Sequence, residues 1–518
     1  MTTAQAATGR TVTTNIPARL DRLPWSRWHW TIVIGLGTVW ILDGLEVTVV
    51  GNIASRLSEP DSGLPITSGE VTGIAAALYV AGACVGALFW GRLTDIWGRK
   101  KLFMVTLAVY LAATALTAVS FDTWWFLLFR FLTGFGIGGE YAAINSAIDE
   151  LIPAQYRGRV DLMINGSFWL GAVGGSLLSI LALNTEIFAA DVGWRLTFAL
   201  GAVLALVILL VRRHVPESPR WLMIHGRDGE AERIVSSIER RVTEEKGEEL
   251  PPAEGEITIH QRRSVTFLEI ARTVFSDYRK RATLGFALFI GQAFLYNAIT
   301  FGFGAILTTF FDVPSGNTGY YFAVIAVGNF FGPLLLGKLF DTVGRRVMIS
   351  STYLLSGLLL FATAWLFDRG SLSAGTLTAC WCAVLFFASA GASSAYLTVS
   401  EVFPMETRAM SIAFFYALGT AAGGISGPLL FADLTGTGKV GDTVLAFQIG
   451  AALMCVAGVV AALLAVNAER RSLEDIAKPL TAAATKARSR ATSKSGSKSG
   501  SKSATRGDEQ SSQATRTV

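Results

Sequence analysis

The chain has 518 residues, 51% of them hydrophobic and only 16% charged, with a mean hydropathy of +0.46. Soluble domains carry roughly 25% charged residues, so the composition excludes an ordinary soluble globular protein. The formal net charge of +5 says little by itself; where the charges fall says more.

Residues 1–28 form a polar leader. Runs of about 20 apolar residues read as membrane helices. Twelve follow, over about 29–51, 70–90, 102–120, 124–148, 160–183, 194–212, 282–311, 318–337, 347–367, 374–400, 409–432 and 443–467. Glycine interrupts several of them, which membrane helices tolerate and use for close packing. The first run is too long for a cleaved signal, and no small-residue cleavage site follows it. Between the sixth and seventh runs lies a hydrophilic break, 213–281, in which Asp228 to Arg241 has the composition of a surface helix. Residues 468–518, with "SKSGSKSGSKSATRGDEQ", are too poor in apolar side chains to bury a core and are expected to be disordered. Their basic residues can touch anionic headgroups or simply stay solvated.

Lys and Arg cluster in alternate loops: Arg92, Arg99, Lys100 and Lys101, then Arg157 and Arg159, then 212–281, then Lys338, Arg345 and Arg346, then the tail. The opposite loops carry mostly acids, such as Glu59, Asp61, Glu186, Asp191, Asp312 and Asp368. Lys and Arg stay on the cytoplasmic side, so both termini are expected there, in a multi-pass protein of the plasma membrane. The four cysteines, Cys84, Cys380, Cys382 and Cys455, fall inside apolar runs and read as small core residues. They form no disulfide frame, and no metal site is expected.

The central break divides six runs from six, and the halves repeat. In "GRLTDIWGRKK" and "GKLFDTVGRRV", Gly91, Asp95, Gly98 and Arg99 recur 246 positions later as Gly337, Asp341, Gly344 and Arg345. In "ELIPAQYRG" and "EVFPMETRA", Glu150, Pro153 and Arg157 recur 251 positions later as Glu401, Pro404 and Arg408. The expectation is an all-α membrane protein of two pseudo-symmetric six-helix bundles, 29–212 and 282–467. A solute site midway between two such halves is the plan of an alternating-access transporter. The repeated charges suit a latch at one face. Gly91 would permit a close approach or tight turn. Asp95 and Arg99, like Asp341 and Arg345, would bond neighbouring helix ends, completed by Glu150 with Arg157 and Glu401 with Arg408.

Within "WILDGLEVTVVGN", Asp43 and Glu46 lie three residues apart and share a helix face. Each costs roughly 2.5–3.5 kcal/mol at the centre of an inserting helix, so both should face a cavity rather than lipid, where they could exchange protons. By the same cost Glu140 should face a cavity, a neighbouring helix or water, as a proton relay or a partner for a substrate ammonium. The formal G-x-G-x-x-G at Gly134, Gly136 and Gly139 follows no strand and reads as packing glycine. No phosphate loop and no nucleophile–base set is present, so neither ATP drive nor an enzyme is expected.

With "G-x-L-x-D-x-x-G-R-[KR]" present twice at this offset, the chain resembles the major facilitator superfamily over about residues 28–467. "PESPRWL" at 216–222, "RFLTGFGIGGEYAAINSAIDELIPAQYRG" at 130–158 and "SEVFPMETRA" at 400–409 resemble its sugar porters and metabolite:proton symporters. The resemblance implies that Glu46 is the proton site, paired with Arg130 of the fourth span. "DGLE" also resembles the "D-G-[FY]-D" of aromatic-acid:proton symporters, which would make Asp43 functional. Substrate contacts implied by the likeness are Gln292 and Asn297 of "GQAFLYNAITF", Asn329, and Asn165 in place of a glutamine; Trp169, Tyr296 and Tyr396 could stack on a ring or simply pack. Ala172 and Ala395 depart from the sugar-porter pattern, so a standard hexose site is not expected.

These readings converge on proton-coupled uptake of a small polar organic solute, such as a sugar, polyol or related metabolite. An organic (aromatic) acid:proton symporter is the alternative, and a proton/drug antiporter, a uniporter or a membrane sensor fits less well. The proton gradient would be the drive, with no cofactor. Partners would be the small-molecule substrate, protons and lipid, without nucleic acid, and the protein is expected as a monomer.

Overall fold

The computed structural model describes residues 11–477 apart from 58, 68–69, 183, 213–215, 254, 261–274, 277, 315–316 and 405–407. Twelve long helices account for most of it: α1 (Arg27–Leu57), α2 (Ala76–Trp97), α3 (Arg99–Ala118), α4 (Thr123–Leu151), α5 (Arg157–Ala182), α6 (Ala190–Arg212), α7 (Arg279–Phe311), α8 (Thr318–Thr342), α9 (Arg345–Asp368), α10 (Ala374–Val402), α11 (Arg408–Gly436) and α12 (Val440–Leu464). Eleven are long and apolar enough to cross a membrane. The exception is α4, which carries Arg130, Glu140, Asp149 and Glu150, all of them buried. Its 29 residues, at about 1.5 Å each, still outreach the roughly 30 Å of hydrocarbon. Leu177, Val203, Leu335, Leu358 and Leu463 stand more than half exposed on the outer faces, where lipid tails would cover them.

The halves are built alike. In the first, α1 packs on α5, α2 on α4 and α3 on α6; in the second, α7 packs on α11, α8 on α10 and α9 on α12. Across the junction α5 packs on α8 and α2 on α11, which is again a reciprocal pair. The glycines of α4 make one of these contacts possible. A Cβ on Gly134 would lie 2.0 Å from the Tyr79 carbonyl oxygen, and one on Gly138 would lie 2.0 Å from that of Ala83.

The helix joins marked by the repeats lie at one face, with the N-terminal segment and the chain beyond α12; this is called the basic face below. There the leader is not free. Strand β1 (Thr11–Thr14) pairs antiparallel with β2 (Ile257–His260), a two-stranded ribbon and the one sheet among the described residues. Helix Ile16–Asp21 follows, and Arg19 and Arg22 reach Glu239 at 2.5 and 2.6 Å. Glu239 belongs to helix Asp228–Lys246, longer than the segment expected, which buries Ala231, Val235, Ile238 and Val242 along one stripe. Residues 468–477, expected to begin a disordered tail, pack back on this face. Leu473 and Ile476 are buried, and Arg281 donates to the Ile476 carbonyl at 2.9 Å. The rest of that expected tail, 478–518, lies outside the described residues.

Candidate functional site

A cavity of about 210 Å³ lies between the halves. From the first half it is lined by Trp40 and Asp43 of α1, Tyr79 of α2, Tyr141 of α4, and Asn165 and Trp169 of α5. From the second come Gln292, Tyr296 and Asn297 of α7, Ser393 and Tyr396 of α10, and Tyr416 and Thr420 of α11. Rings dominate the wall. Trp40 lies flat on Tyr141, centroids 4.7 Å apart at 16°. Trp169 faces Tyr296 at 5.3 Å and 33°.

Asp43 is the one carboxylate in this lining among the described residues. Its two oxygens accept from the hydroxyls of Tyr79 at 2.6 Å and Tyr141 at 2.5 Å. One turn on, Glu46 points away from the cavity and takes a 2.6 Å hydrogen bond from Arg130 Nη2, with both side chains 2% exposed. Thr114 donates to the other Glu46 oxygen at 3.3 Å. The Arg130 guanidinium lies over the rings of Tyr79 and Phe198 at 5.2 and 5.5 Å. Tyr79 therefore joins the two acids: its hydroxyl serves Asp43 and its ring serves the cation that holds Glu46. Arg130 Nε and Nη1 have no hydrogen-bond partner among the described residues. The pair is thus monodentate, and desolvation weighs heavily against a buried pair so incompletely bonded.

The basic face below the cavity is closed by charge. Gly98 and Gly344, at φ +93° and +119°, turn the chain into α3 and α9. The arginine after each reaches a carboxylate of its own half. Arg99 meets Glu150 at 2.8 Å; Arg345 meets Glu401 at 3.0 Å and Asp341 at 2.9 Å. Glu217 accepts from the Arg99 main chain at 2.8 Å, and Glu469 from that of Arg345 at 3.3 Å. Burial pushes the Glu217 carboxyl up, against the main-chain N–H groups of Ser218, Arg99 and Lys100 that favour its ionised form. Other contacts cross between the halves. Asp341 accepts from the main-chain N–H groups of Gly158 at 3.0 Å and Arg159 at 2.7 Å. Arg157 approaches Glu401 at 3.9 Å, and Arg408 approaches Asp149 at 3.7 Å and Glu150 at 3.8 Å.

A family model described as "Sugar (and other) transporter" matches residues 42–479. The chain belongs to that family. It is 26% identical to the niacin transporter NiaP of Acinetobacter baylyi over 427 residues, 80% of this chain and 89% of that one. It is 25% identical to the 4-hydroxybenzoate transporter PcaK of Pseudomonas putida over 475 residues, 89% and 98% of the two chains. A solved proton:xylose symporter of the major facilitator superfamily, XylE, superposes with a TM-score of 0.71 at 18% identity, covering 86% of this chain and 98% of that one. The protein is accordingly a multi-pass membrane transporter of the major facilitator fold and not an enzyme.

Within this transporter the expected residues sort into three groups. Asp43, Asn165, Trp169, Gln292, Tyr296, Asn297 and Tyr396 line the cavity. Glu46 and Arg130 form a pair behind its wall. Asn329 and Glu140 do not line it. Asn329 is fully buried and accepts from the Tyr296 hydroxyl at 3.0 Å, so it orients a lining residue. Glu140 is also fully buried and takes a 3.4 Å contact from Thr106 of α3, which removes it from the place a substrate ammonium would occupy.

The latch is wired differently from the expectation. Glu150 pairs with Arg99 rather than Arg157, and Glu401 with Arg345 rather than Arg408. Arg157 and Arg408, the first residues of α5 and α11, instead reach toward the opposite half, Arg157 while also lying 3.5 Å from Asp21 and 3.8 Å from Asp149 of its own half. Gly91 lies inside α2, so Gly98 makes the turn. The side chain of Asp95 lies outside the described residues. The four cysteines are half-buried, and Cys84, Cys380 and Cys382 pack against the edge of the core. Sequence reasoning missed Trp40, Tyr79, Tyr141 and Tyr416, since a ring in an apolar helix carries no mark of where it points. It also missed Asp149 and Asp161, whose signal was the cost of an acid inside a span.

Proposed function

We propose that the protein is a proton-coupled symporter of the plasma membrane. It would take up a small ring-bearing organic solute by alternating access, with its basic face and both termini in the cytoplasm. The observation that carries this is the monodentate Glu46–Arg130 pair, buried one turn from a cavity carboxylate and joined to it by Tyr79. A proton on Glu46 removes the charge that Arg130 holds and frees α1 from α4. The loaded carrier then turns, and release of solute and proton restores the pair. Asp43 faces the solute directly.

The stacked walls favour a flat ring, and ring acids are named in two relatives, the niacin and 4-hydroxybenzoate transporters. The second reading, a sugar or polyol, is favoured by the amides of Asn165, Gln292 and Asn297, which can donate to and accept from hydroxyls. Reconstituted wild type and Glu46→Gln, with internal pH followed while nicotinate, 4-hydroxybenzoate, xylose and myo-inositol are added singly, test both readings. Solute-dependent acidification in wild type is expected, lost in Glu46→Gln while exchange of the same solute persists. Solute movement without acidification in either protein would overturn the coupling.

A further inference from the structure

Asp161 has no place in this scheme. It lies on α5, one turn beyond Arg157 of the closed face and one turn before Asn165 of the cavity wall. It is fully buried, and neither carboxylate oxygen accepts a hydrogen bond among the described residues. The nearest amide is committed elsewhere: Asn165 Nδ2 donates to Asn145 at 3.0 Å and to the Asp161 main-chain carbonyl at 2.9 Å.

The charges that face Asp161 from the surrounding helices are Asp149 of α4, Glu401 of α10 and Arg345 at the start of α9. Asp341, at the end of α8, bonds the α5 main chain at Gly158 and Arg159. The three cations of this cluster are committed to other carboxylates. Arg345 is held by Glu401 and Asp341, Arg157 is shared among Asp21 at 3.5 Å, Asp149 at 3.8 Å and Glu401 at 3.9 Å, and Arg408 lies 3.7 Å from Asp149 and 3.8 Å from Glu150. An ionised Asp161 would add a third anion beside Asp149 and Glu401, with only the Asn165 amide, already shared with Asn145 and a main-chain carbonyl, as a nearby donor. Burying an unpaired carboxylate is far costlier than burying the neutral acid.

We propose that Asp161 is a second proton-binding site, protonated while the basic face is closed and ionised when that face opens. Arg345 and Glu401 belong to the second half and Asp161 to the first. Parting the halves takes Glu401 away and admits water. The O–H bond of the carboxyl then breaks, its electron pair stays on the oxygen, and the proton passes to water at the basic face. Closing the face takes the proton back. Each opening releases one proton, so the opening equilibrium rises by up to about tenfold per pH unit at that face. The site makes the turn of the carrier sensitive to pH on the side where solute leaves.

Two measurements on the full-length protein in lipid nanodiscs test this. The first is an infrared difference spectrum, wild type minus Asp161→Asn, at neutral pH. A carboxylic-acid C=O stretch present in wild type and absent from the variant is expected. The second is the distance between spin labels at Ile96 and Val343, one on each half and both exposed, after replacement of the native cysteines. It should lengthen from mildly acidic to mildly basic pH in wild type and stay short in Asp161→Asn, which cannot ionise. No acid band in wild type, or distances that shift equally or not at all in the two proteins, overturns the proposal. Should Asp161→Asn not fold, Asp161→Glu keeps the proton and moves the band, and an unmoved band is equally fatal. Only the distance measurement rests on the alternating-access reading. Failure of that reading shows separately, as absent solute exchange in the liposomes.

Discussion

Arg130 and Glu46 sit where charge is expensive, and each is tolerated because of the other. Removing one partner leaves the second buried and unmatched, which costs about 3–5 kcal/mol. Arg130→Met should therefore lower the thermal midpoint sharply. Arg130→Met with Glu46→Gln should recover much of the loss, because no charge then remains. A double variant no more stable than Arg130→Met would mean that the guanidinium acts through its contacts with Tyr79 and Phe198 instead. Tyr79→Phe is a finer probe. It keeps the ring under Arg130 and removes the hydroxyl from Asp43, a hydrogen bond to a charged group worth about 1.5–3 kcal/mol. Solute affinity should change while the Glu46-dependent acidification persists. Loss of acidification in Tyr79→Phe would place Asp43 in the proton path.

At the scale of elements, two features are fixed by backbone geometry. Gly98 and Gly344 hold φ +93° with ψ 163° and φ +119° with ψ 152°, a region open essentially to glycine and costing about 1–3 kcal/mol for other residues. Gly98→Ala and Gly344→Ala should each destabilise by that amount, measured by thermal unfolding in detergent. Near-zero loss at both would mean the joins relax. Docking of the leader combines the β1–β2 ribbon, burial of Ile16 and Leu20 and ion pairs with Glu239, all outside the membrane-spanning segments. Burial alone would raise Glu239, but hydrogen bonds and charge from Arg19 and Arg22 outweigh it and hold its carboxyl below the ordinary value. The undocked leader leaves Glu239 with the higher pKa, so it binds more protons in acid. Docking is complete above the ordinary glutamate range and is lost as pH falls through the depressed value. The protection of residues 16–22 from hydrogen exchange, expressed relative to the intrinsic rate at each pH from about pH 7 to about pH 3, should fall in that window; constant protection would show that contacts other than the Glu239 pairs anchor the leader.

For the molecule as a whole, closure of the basic face depends on contacts between halves. Asp341 accepts two main-chain N–H groups at the start of α5, where a helix N-terminus favours negative charge. Asp341→Asn keeps the shape and removes the charge. It should shift the carrier toward the state open at the basic face, read as a longer Ile96–Val343 distance at constant pH. An unchanged distance would leave the arginines as the principal latch. The pseudo-symmetry sharpens the comparison. Arg99→Gln and Arg345→Gln break equivalent bonds, but Arg345 also holds Asp341, so its loss should open the face further.

The amino-acid sequence by itself determined the twelve spans, the division into two halves and the repeated joins. A helix in lipid satisfies its own backbone hydrogen bonds, so its presence follows from local apolar length, and a duplicated motif is visible without any fold. It also flagged Asp43, Glu46 and Glu140, because a charge inside a span needs a reason, while Arg130 was singled out by the family resemblance. Only the tertiary structure decided where those charges went. Rotation of α1 about its axis sends Asp43 to the cavity and Glu46 behind it; the crossing of α3 and α4 takes Glu140 out of reach of solute. It likewise decided that Arg157 and Arg408 join the halves while Arg99 and Arg345 join helices within each half. Such pairings depend on how far one helix stands from another, and residue spacing along the chain contains no measure of that distance.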